Sequence, residues 1–232
     1  MDNLEKKFFL LVKQNLFAFY VINEDDKILF KNEIFNNSLN LYNNFNKLKT
    51  FLDENIFEIE KKFNSYIEDI NLIIDEKNFI NIDITLLKNF KYLNTKFKNI
   101  LSDLSNIKES VLKSNIEFQL AHMIINKYIQ DKKEYFTALD QSDQKNFFLE
   151  IRLICLSKKK FINFKEILSI YQISIKKIFN YEYVNSFRDD SNDHIAIVAS
   201  RLIGGLNKNE VNFLSKNQKN KGFFERFFKF FS

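Results

Sequence analysis

The sequence of 232 residues contains no proline and no tryptophan, three glycines, two histidines and one cysteine. Neither a Gly-x-x-x-x-Gly-Lys-Ser/Thr phosphate loop nor a Gly-x-Gly-x-x-Gly dinucleotide turn occurs, and three glycines could hardly build one. The histidines and the cysteine lie too far apart for a zinc cluster of ordinary spacing. A single cysteine cannot form an internal disulfide, which favours the cytoplasm. We therefore predict a protein that is not an enzyme and that needs no cofactor and no metal.

Cys155 is the residue that could act as a nucleophile, with His122 or His194 as its base. It lies within the apolar run 147–156. Burial there would raise the pKa of the thiol and disfavour the reactive thiolate. His122 falls in an alternating apolar run, so we interpret it as a structural histidine with a hydrogen-bond partner and not as a ligand.

The sequence also has no long apolar run, and neither basic nor acidic residues strongly predominate. No stretch reaches 18 uncharged apolar residues, and the run 8–12 is too short for a signal peptide or a spanning helix. The net charge of +5 comes from 35 basic and 30 acidic residues spread along the whole chain. A nucleic-acid footprint would be a local basic stripe, so a general enrichment in lysine explains the charge better than a polyanion partner.

Apolar periodicity predicts the secondary structure. The predicted strands are residues 8–12, 16–22, 27–33, 70–74, 79–86, 116–129, 147–156 and 173–179. The predicted helices are 40–66, 94–112, 161–171 and 194–203, the last of which ends at Gly204-Gly205. We expect one strand pair between 16–22 and 27–33, a second between 70–74 and 79–86, and a polar loop over 180–193. This order indicates an α+β (mixed α/β) fold.

The C-terminal segment 222–232 carries six phenylalanines, and Glu225, Arg226, Lys229 and Ser232 share one face when it is drawn as a helix. Such an amphipathic helix must bury its aromatic side, either at a lipid interface or in a groove on its own domain. A polar tether and nearby lysines favour an anionic lipid surface. The predicted membrane-binding residues are Lys221, Phe223, Phe224, Arg226, Phe227, Phe228, Lys229, Phe230 and Phe231.

Several segments resemble FtsA, the actin-like family of bacterial cell division. The order of elements over 70–180 is similar to the small strand-helix-strand-strand subdomain of that family. His122 to Tyr128, with Asp131 beyond, resembles a family strand pattern of His, Ile, Tyr and Asp. Residues 149–154 and then 164–171 resemble the next strand and helix of the family. Residues 196–204 resemble its closing helix, and residues 221–231 resemble its C-terminal membrane-targeting helix.

The resemblance implies a reduced relative, because family members are nearly twice as long and their glycine-rich ATP loops have no counterpart here. It implies five segments. These are a remnant actin-like hairpin and helix (1–69), an interaction subdomain (70–180), a loop and closing helix (181–205), a polar linker (206–221) and a membrane-targeting helix (222–232).

The function implied is a non-enzymatic scaffold that tethers division proteins to the cytoplasmic side of the inner membrane as a peripheral protein. Its implied partners are anionic lipid and division proteins such as FtsZ, with self-association as a further expectation and no nucleic acid. Two alternatives stay open. One is a pilus-assembly actin-like scaffold, and the other is a single-stranded nucleic-acid-binding protein in which aromatic and lysine side chains on a sheet contact bases and phosphates.

Overall fold

The computed structural model describes residues 5–35, 45–77, 79–89, 96–136, 146–189 and 193–212. The described elements are, in chain order, β1 (Lys7–Lys13), β2 (Leu16–Ile22), β3 (Ile28–Phe35), α1 (Phe45–Phe63), β4 (Asp69–Ile74), β5 (Ile80–Asn89), α2 (Lys96–Ser114), β6 (Phe118–Gln130), β7 (Lys133–Tyr135), β8 (Asn146–Ser157), α3 (Lys158–Ser169), β9 (Ser174–Asn180), α4 (Tyr181–Asn185) and α5 (Ile195–Ile203). Helices and two separate sheets are mixed along the chain, which confirms the predicted α+β class.

The chain divides into two compact units. The first unit comprises Met1–Phe79 and Leu156–Ile203, and the second comprises Ile80–Cys155 and Gly204–Ser232. The predicted boundaries at residues 69/70 and 180/181 do not coincide with these units. A role of 70–180 as an interaction subdomain stays a prediction.

The first unit contains a five-stranded sheet in the order β3-β2-β1-β4-β9. The predicted hairpin of β2 and β3 is confirmed, β1 pairs with β2 in antiparallel fashion, and β4 lies parallel to both β1 and β9. The strands β1, β2 and β4 are buried on both faces and are largely apolar, with Asn71 as a buried polar residue of β4, as expected when helices cover a sheet on two sides. On one face the Phe51 ring of α1 lies 6.1 Å from the Phe17 ring, and on the other α5 packs in a core cluster with Phe9 and Tyr20.

The second unit contains a four-stranded sheet in the order β5-β8-β6-β7. β5 and β8 pair in antiparallel fashion over the whole of β5, without a break in register. The helix α2 covers one face, where Leu104 packs with Met123, Leu149 and Ile151 in a common core. Because side chains alternate along a strand, Glu150 and Arg152 point to the opposite face.

The predicted pairing of residues 70–74 with 79–86 is wrong. Strand β4 lies between β1 and β9 in the first sheet, whereas β5 pairs with β8 in the second. The apolar pattern of the two strands explains the difference, because the buried residues of β4 are apolar except for Asn71, and the strand needs cover on both faces. In β5 apolar and polar residues alternate, and the strand buries one face only.

Two predicted irregular segments are partly ordered. The segment predicted as a loop over 180–193 begins with α4, whose first turn is capped by the Asn180 side chain, which accepts a hydrogen bond from the Tyr183 N–H at 2.8 Å. The predicted linker 206–221 starts inside the folded body, because Glu210 and Val211 are buried. The predicted end of the last helix is confirmed, and Gly205 adopts φ 91°, which favours glycine.

Candidate functional site

The predicted membrane-binding residues, Lys221 to Phe231, lie outside the described residues. The structure describes the chain up to Asn212, so it informs on the segment that leads into this tail. Within the described ranges, no helix combines the length and the apolar character needed to cross a membrane.

The segment that leads into the tail is joined to the edge of β6. The Val211 N–H donates to the Met123 carbonyl at 2.8 Å, and the Ile125 N–H donates to the Asn209 carbonyl at 2.9 Å. Between them Glu210 forms an antiparallel bridge with Ile124. The segment 209–211, which we call the edge clasp, therefore acts as a short additional strand of the second sheet.

A buried side-chain pair fixes the same segment. The His122 Nδ1 atom lies 2.9 Å from the Glu210 Oε1 atom, and both side chains are almost completely buried. The prediction of a structural histidine with a hydrogen-bond partner is confirmed. Because burying either group without a polar partner is costly, the pair favours one register of the edge clasp on β6.

A second group of polar residues lies where the parallel strands of the first unit end. Lys13 is the last residue of β1, and its Nζ atom lies 3.2 Å from the Asp75 carboxylate after β4 and 3.8 Å from the centroid of the Tyr181 ring. The neighbouring Glu76 forms an ion pair with Lys160 of α3. In open sheets with parallel strands, ligands commonly bind beyond the carboxyl ends of the strands.

We call Lys13, Asp75, Glu76, Lys160 and Tyr181 the strand-end cluster. Sequence reasoning missed it, although a charged residue directly after each of two apolar strands was a usable signal. Each lysine is bound to a carboxylate of the same unit, so an anionic ligand would have to displace an internal partner. The turn between β1 and β2 is Gln14-Asn15, without the glycine that close backbone contact with a phosphate favours.

The thiol of Cys155 is buried in the core of the second unit. Burial raises the pKa of this thiol from 9.0 to about 11, so it is neutral near pH 7. The predicted burial of Cys155 is confirmed. Among the described residues, no three side chains of His, Cys, Asp or Glu are grouped as a metal ion would require.

The face of the second sheet opposite α2 carries charges of both signs. Arg152 donates two hydrogen bonds to the Asp83 carboxylate, at 2.7 and 3.0 Å. The Nζ atom of Lys127 lies 2.6 Å from the Oε1 atom of Glu134 and 3.4 Å from the Oε1 atom of Glu150. The hydrogen bond from Arg152 is the main cause that lowers the pKa of Asp83. Both basic side chains of this group are thus bound to carboxylates, unlike the unpaired basic stripe that phosphate recognition favours.

Comparisons with known proteins identify no family. No protein-family model matches the sequence, and no curated protein matches it. Among solved structures, the chain is similar to a "PilM-PilN type IV pilus biogenesis complex", with 8% identity, a TM-score of 0.48, and coverage of 79% of this chain and 49% of the other. It is also similar to the cytoplasmic domain of EpsL, an inner-membrane component of the type II secretion system of Vibrio cholerae, with 7% identity, a TM-score of 0.39, and coverage of 81% and 61%.

A third similar structure is a Bacteroides thetaiotaomicron protein described as having an actin-like ATPase fold and unknown function. It shares 13% identity and a TM-score of 0.32, with coverage of 81% of this chain and 58% of the other. The chain therefore spans about half to three fifths of the length of these structures. At TM-scores below 0.5, the likenesses establish neither a family nor a function.

Proposed function

We propose that the chain is a non-enzymatic scaffold that binds the cytoplasmic surface of the inner membrane through residues 221–231 and holds partner proteins there. The observation that carries the proposal is the edge clasp, which keeps the chain bound to the folded body as far as Val211. Only residues 213–221 then separate the described body from the amphipathic segment. These nine residues can span at most about 30 Å, so a membrane-bound tail would hold the body close to the lipid.

The tail residues supply the binding energy in this proposal. A phenylalanine side chain contributes roughly 1.5–3 kcal/mol when it is fully buried. Each basic residue near an anionic leaflet adds about 1 kcal/mol. Ordering a helix of about ten residues opposes binding, because such a helix is marginal in water. We therefore expect weak, reversible binding by one copy and tighter binding by several copies together.

The non-enzymatic part of the proposal is supported by the strand-end cluster and by Cys155. Lys13 and Lys160 are bound by Asp75 and Glu76, and the thiol is neutral near pH 7. Calorimetry with ATP is expected to show no binding. A micromolar affinity for ATP would contradict the proposal.

Vesicle co-sedimentation tests the membrane tether. The full chain should pellet with anionic vesicles, and the double variant Phe227→Asp/Phe228→Asp should remain in the supernatant. The matched control is Phe57→Asp/Tyr66→Asp, which makes the same change of charge at two exposed aromatic residues of the described body. The control should pellet like the unmodified chain. Equal pelleting of the tail variant would remove the tether from the proposal.

The finer proposal is a role in cell division, as the resemblance to FtsA implies. A fluorescent fusion of the full chain should collect at the division site of dividing cells and should become diffuse with the Phe227→Asp/Phe228→Asp change. A fusion that avoids the division site and follows a pilus or secretion assembly instead would favour the pilus-type scaffold.

A further inference from the structure

Four strands lie at sheet edges in the described part of the chain, and three of them carry features that discourage further pairing. The pairing of β3 with β2 is interrupted by an irregularity at Val21/Ile22, and β3 carries Lys31. Strand β9 carries Lys176 and Lys177, and its register with β4 also shifts. Strand β7 is only three residues long.

Strand β5 is the exception among these edges. It is ten residues long, its register with β8 is unbroken, and it has no lysine before Lys88. Its charged residue Asp83 is bound to Arg152 of β8. A long, regular edge whose outer backbone groups have no strand partner among the described residues is a template for another strand.

The two faces of β5 differ. Ile82, Ile84 and Leu86 are half-buried and belong to the core that includes α2, whereas Asp83 and Thr85 are exposed on the other face. An open groove runs between β5 and α2. Ile84, Leu86, Ile107 and Val111 are its apolar lining, and Asp103 and Ser110 are among the polar residues at its border. A strand added at this edge would place alternate side chains over the apolar lining.

We propose that the occupant of this edge is β5 of a second copy of the chain, paired in antiparallel fashion about a two-fold axis at Ile84. An axis perpendicular to the sheet keeps corresponding faces together, so the two grooves adjoin and close each other. Such a contact uses the same surface on both copies, which is the usual arrangement in dimers.

The register is set by the side chains that would face each other across the axis. With Ile84 facing Ile84 of the second copy, Ile82 faces Leu86, so the central inward-facing pairs are apolar, and Ile80 and Lys88 take opposite positions at the ends of the paired segment. The exposed Asp83 then faces Thr85. An axis at Asp83 would place two carboxylates opposite each other, which destabilises a strand pair. An axis at Thr85 would place the charged Asp83 opposite the apolar Leu87, whereas the proposed register places the neutral Asn81 there.

The dimer is weak in solution, because one added strand pair buries less surface than the roughly 1,200–2,000 Å² of a stable interface. Copies held on one membrane surface have a high effective concentration, and pairing and membrane binding then reinforce each other. The pairing itself does not depend on the proposed tether, whereas this reinforcement does.

The test compares Thr85→Lys with Thr85→Glu in the full chain that also carries Phe227→Asp/Phe228→Asp, so that the tail contributes no association. Position 85 is exposed, and in the proposed register each new side chain faces Asp83 of the other copy. The two-fold axis repeats this contact, so each dimer contains two such pairs. Sedimentation equilibrium should show tighter dimerisation for Thr85→Lys and weaker dimerisation for Thr85→Glu, about tenfold apart in dissociation constant. Melting temperatures control for the neighbouring Glu150, which faces Thr85 within the same sheet.

A cross-link tests the register directly. Under mild oxidation Ile84→Cys should form a disulfide-linked dimer, whereas Thr85→Cys, which faces Asp83 and not its own counterpart, should not. Cys155 is buried and is common to both variants. Monomers at about 1 mM, the weak end of specific association, would overturn the proposal. Equal dissociation constants for the two Thr85 charge variants, or equal cross-linking at 84 and 85, would also overturn it. A negative result for β5 pairing would not change the outcome of vesicle co-sedimentation, so the dimer proposal and the membrane-tether proposal can be contradicted independently.

Discussion

The two sheets of the molecule differ in how many of their faces are covered. In the first unit, β1, β2 and β4 are buried on both faces, between α1 on one side and α5 on the other. In the second unit, α2 covers one face of the sheet, while the opposite face carries exposed ion pairs and β5 forms a regular edge of the sheet in the part of the chain that the structure describes. The first sheet is thus enclosed by helices of its own unit, whereas the second leaves the charged side of its described strands exposed.

The largest expected difference between the sheets is the loss of stability when a phenylalanine side chain is truncated. Phe9 is fully buried in the first sheet, whereas Phe148 of the second is 43% exposed. Phe9→Ala should lower the free energy of unfolding by about 3–5 kcal/mol, because it leaves a cavity. The matched change Phe148→Ala should lower it by less than about 1 kcal/mol. Denaturant titration with both variants measures the difference, and equal losses would contradict the contrast between the sheets.

An intermediate loss of stability is expected at the edge clasp, where His122 and Glu210 form a buried polar pair. Glu210→Ala removes the carboxylate next to buried His122 and should lower the free energy of unfolding by about 1–3 kcal/mol. It should also speed hydrogen exchange at the amides of Ile125 and Val211. Glu210→Gln keeps an acceptor oxygen and should cost less. Unchanged exchange at both amides in Glu210→Ala would show that the pair does not hold the clasp.

The smallest effect is expected on the exposed face of the second sheet. Asp83→Asn removes a pair that is more than one-third exposed, so solvent screening should limit the loss to less than about 1 kcal/mol near pH 7. Binding to Arg152 lowers the pKa of Asp83 below 3.8. The pair therefore stabilises the fold above pH 3.8, and this contribution disappears as the pH falls through the lowered pKa.

Melting curves of Asp83→Asn and of the unmodified chain should therefore converge at acid pH. The control is Asp131→Asn, at an exposed turn residue with φ 48°, a conformation that asparagine also tolerates. A gap between Asp83→Asn and the unmodified chain that widens on acidification would contradict the sign of this prediction.

Much of the secondary structure could be predicted from the sequence, because local periodicity determines it. The bounds of β2 are those predicted, and β1, β6 and β8 differ from the predictions by one to two residues at each end. Strand pairing was harder to predict. Strand β4 pairs with β9, which lies about a hundred residues later, and nothing in the local pattern of β4 specifies that partner.

The residues that bear on function show the same limit. Glu210 lies in a stretch rich in asparagine and lysine that is typical of a linker, and its burial depends on His122, 88 residues earlier in the chain. Lys13 and Asp75 meet because β1 and β4 are parallel neighbours, a contact that only the sheet topology reveals. The tail composition, in contrast, is a local signal, and it supplied the tether hypothesis without any tertiary information.

The interleaving of the two units along the chain has a consequence for synthesis. The first sheet lacks β9 until residue 180 has been made, and the second sheet lacks its edge clasp until residue 211 has been made. A nascent chain therefore leaves the ribosome with both sheets incomplete for most of its translation. A product that terminates before residue 209 would lack the edge clasp and expose the β6 edge, which is a target for chaperones and proteases.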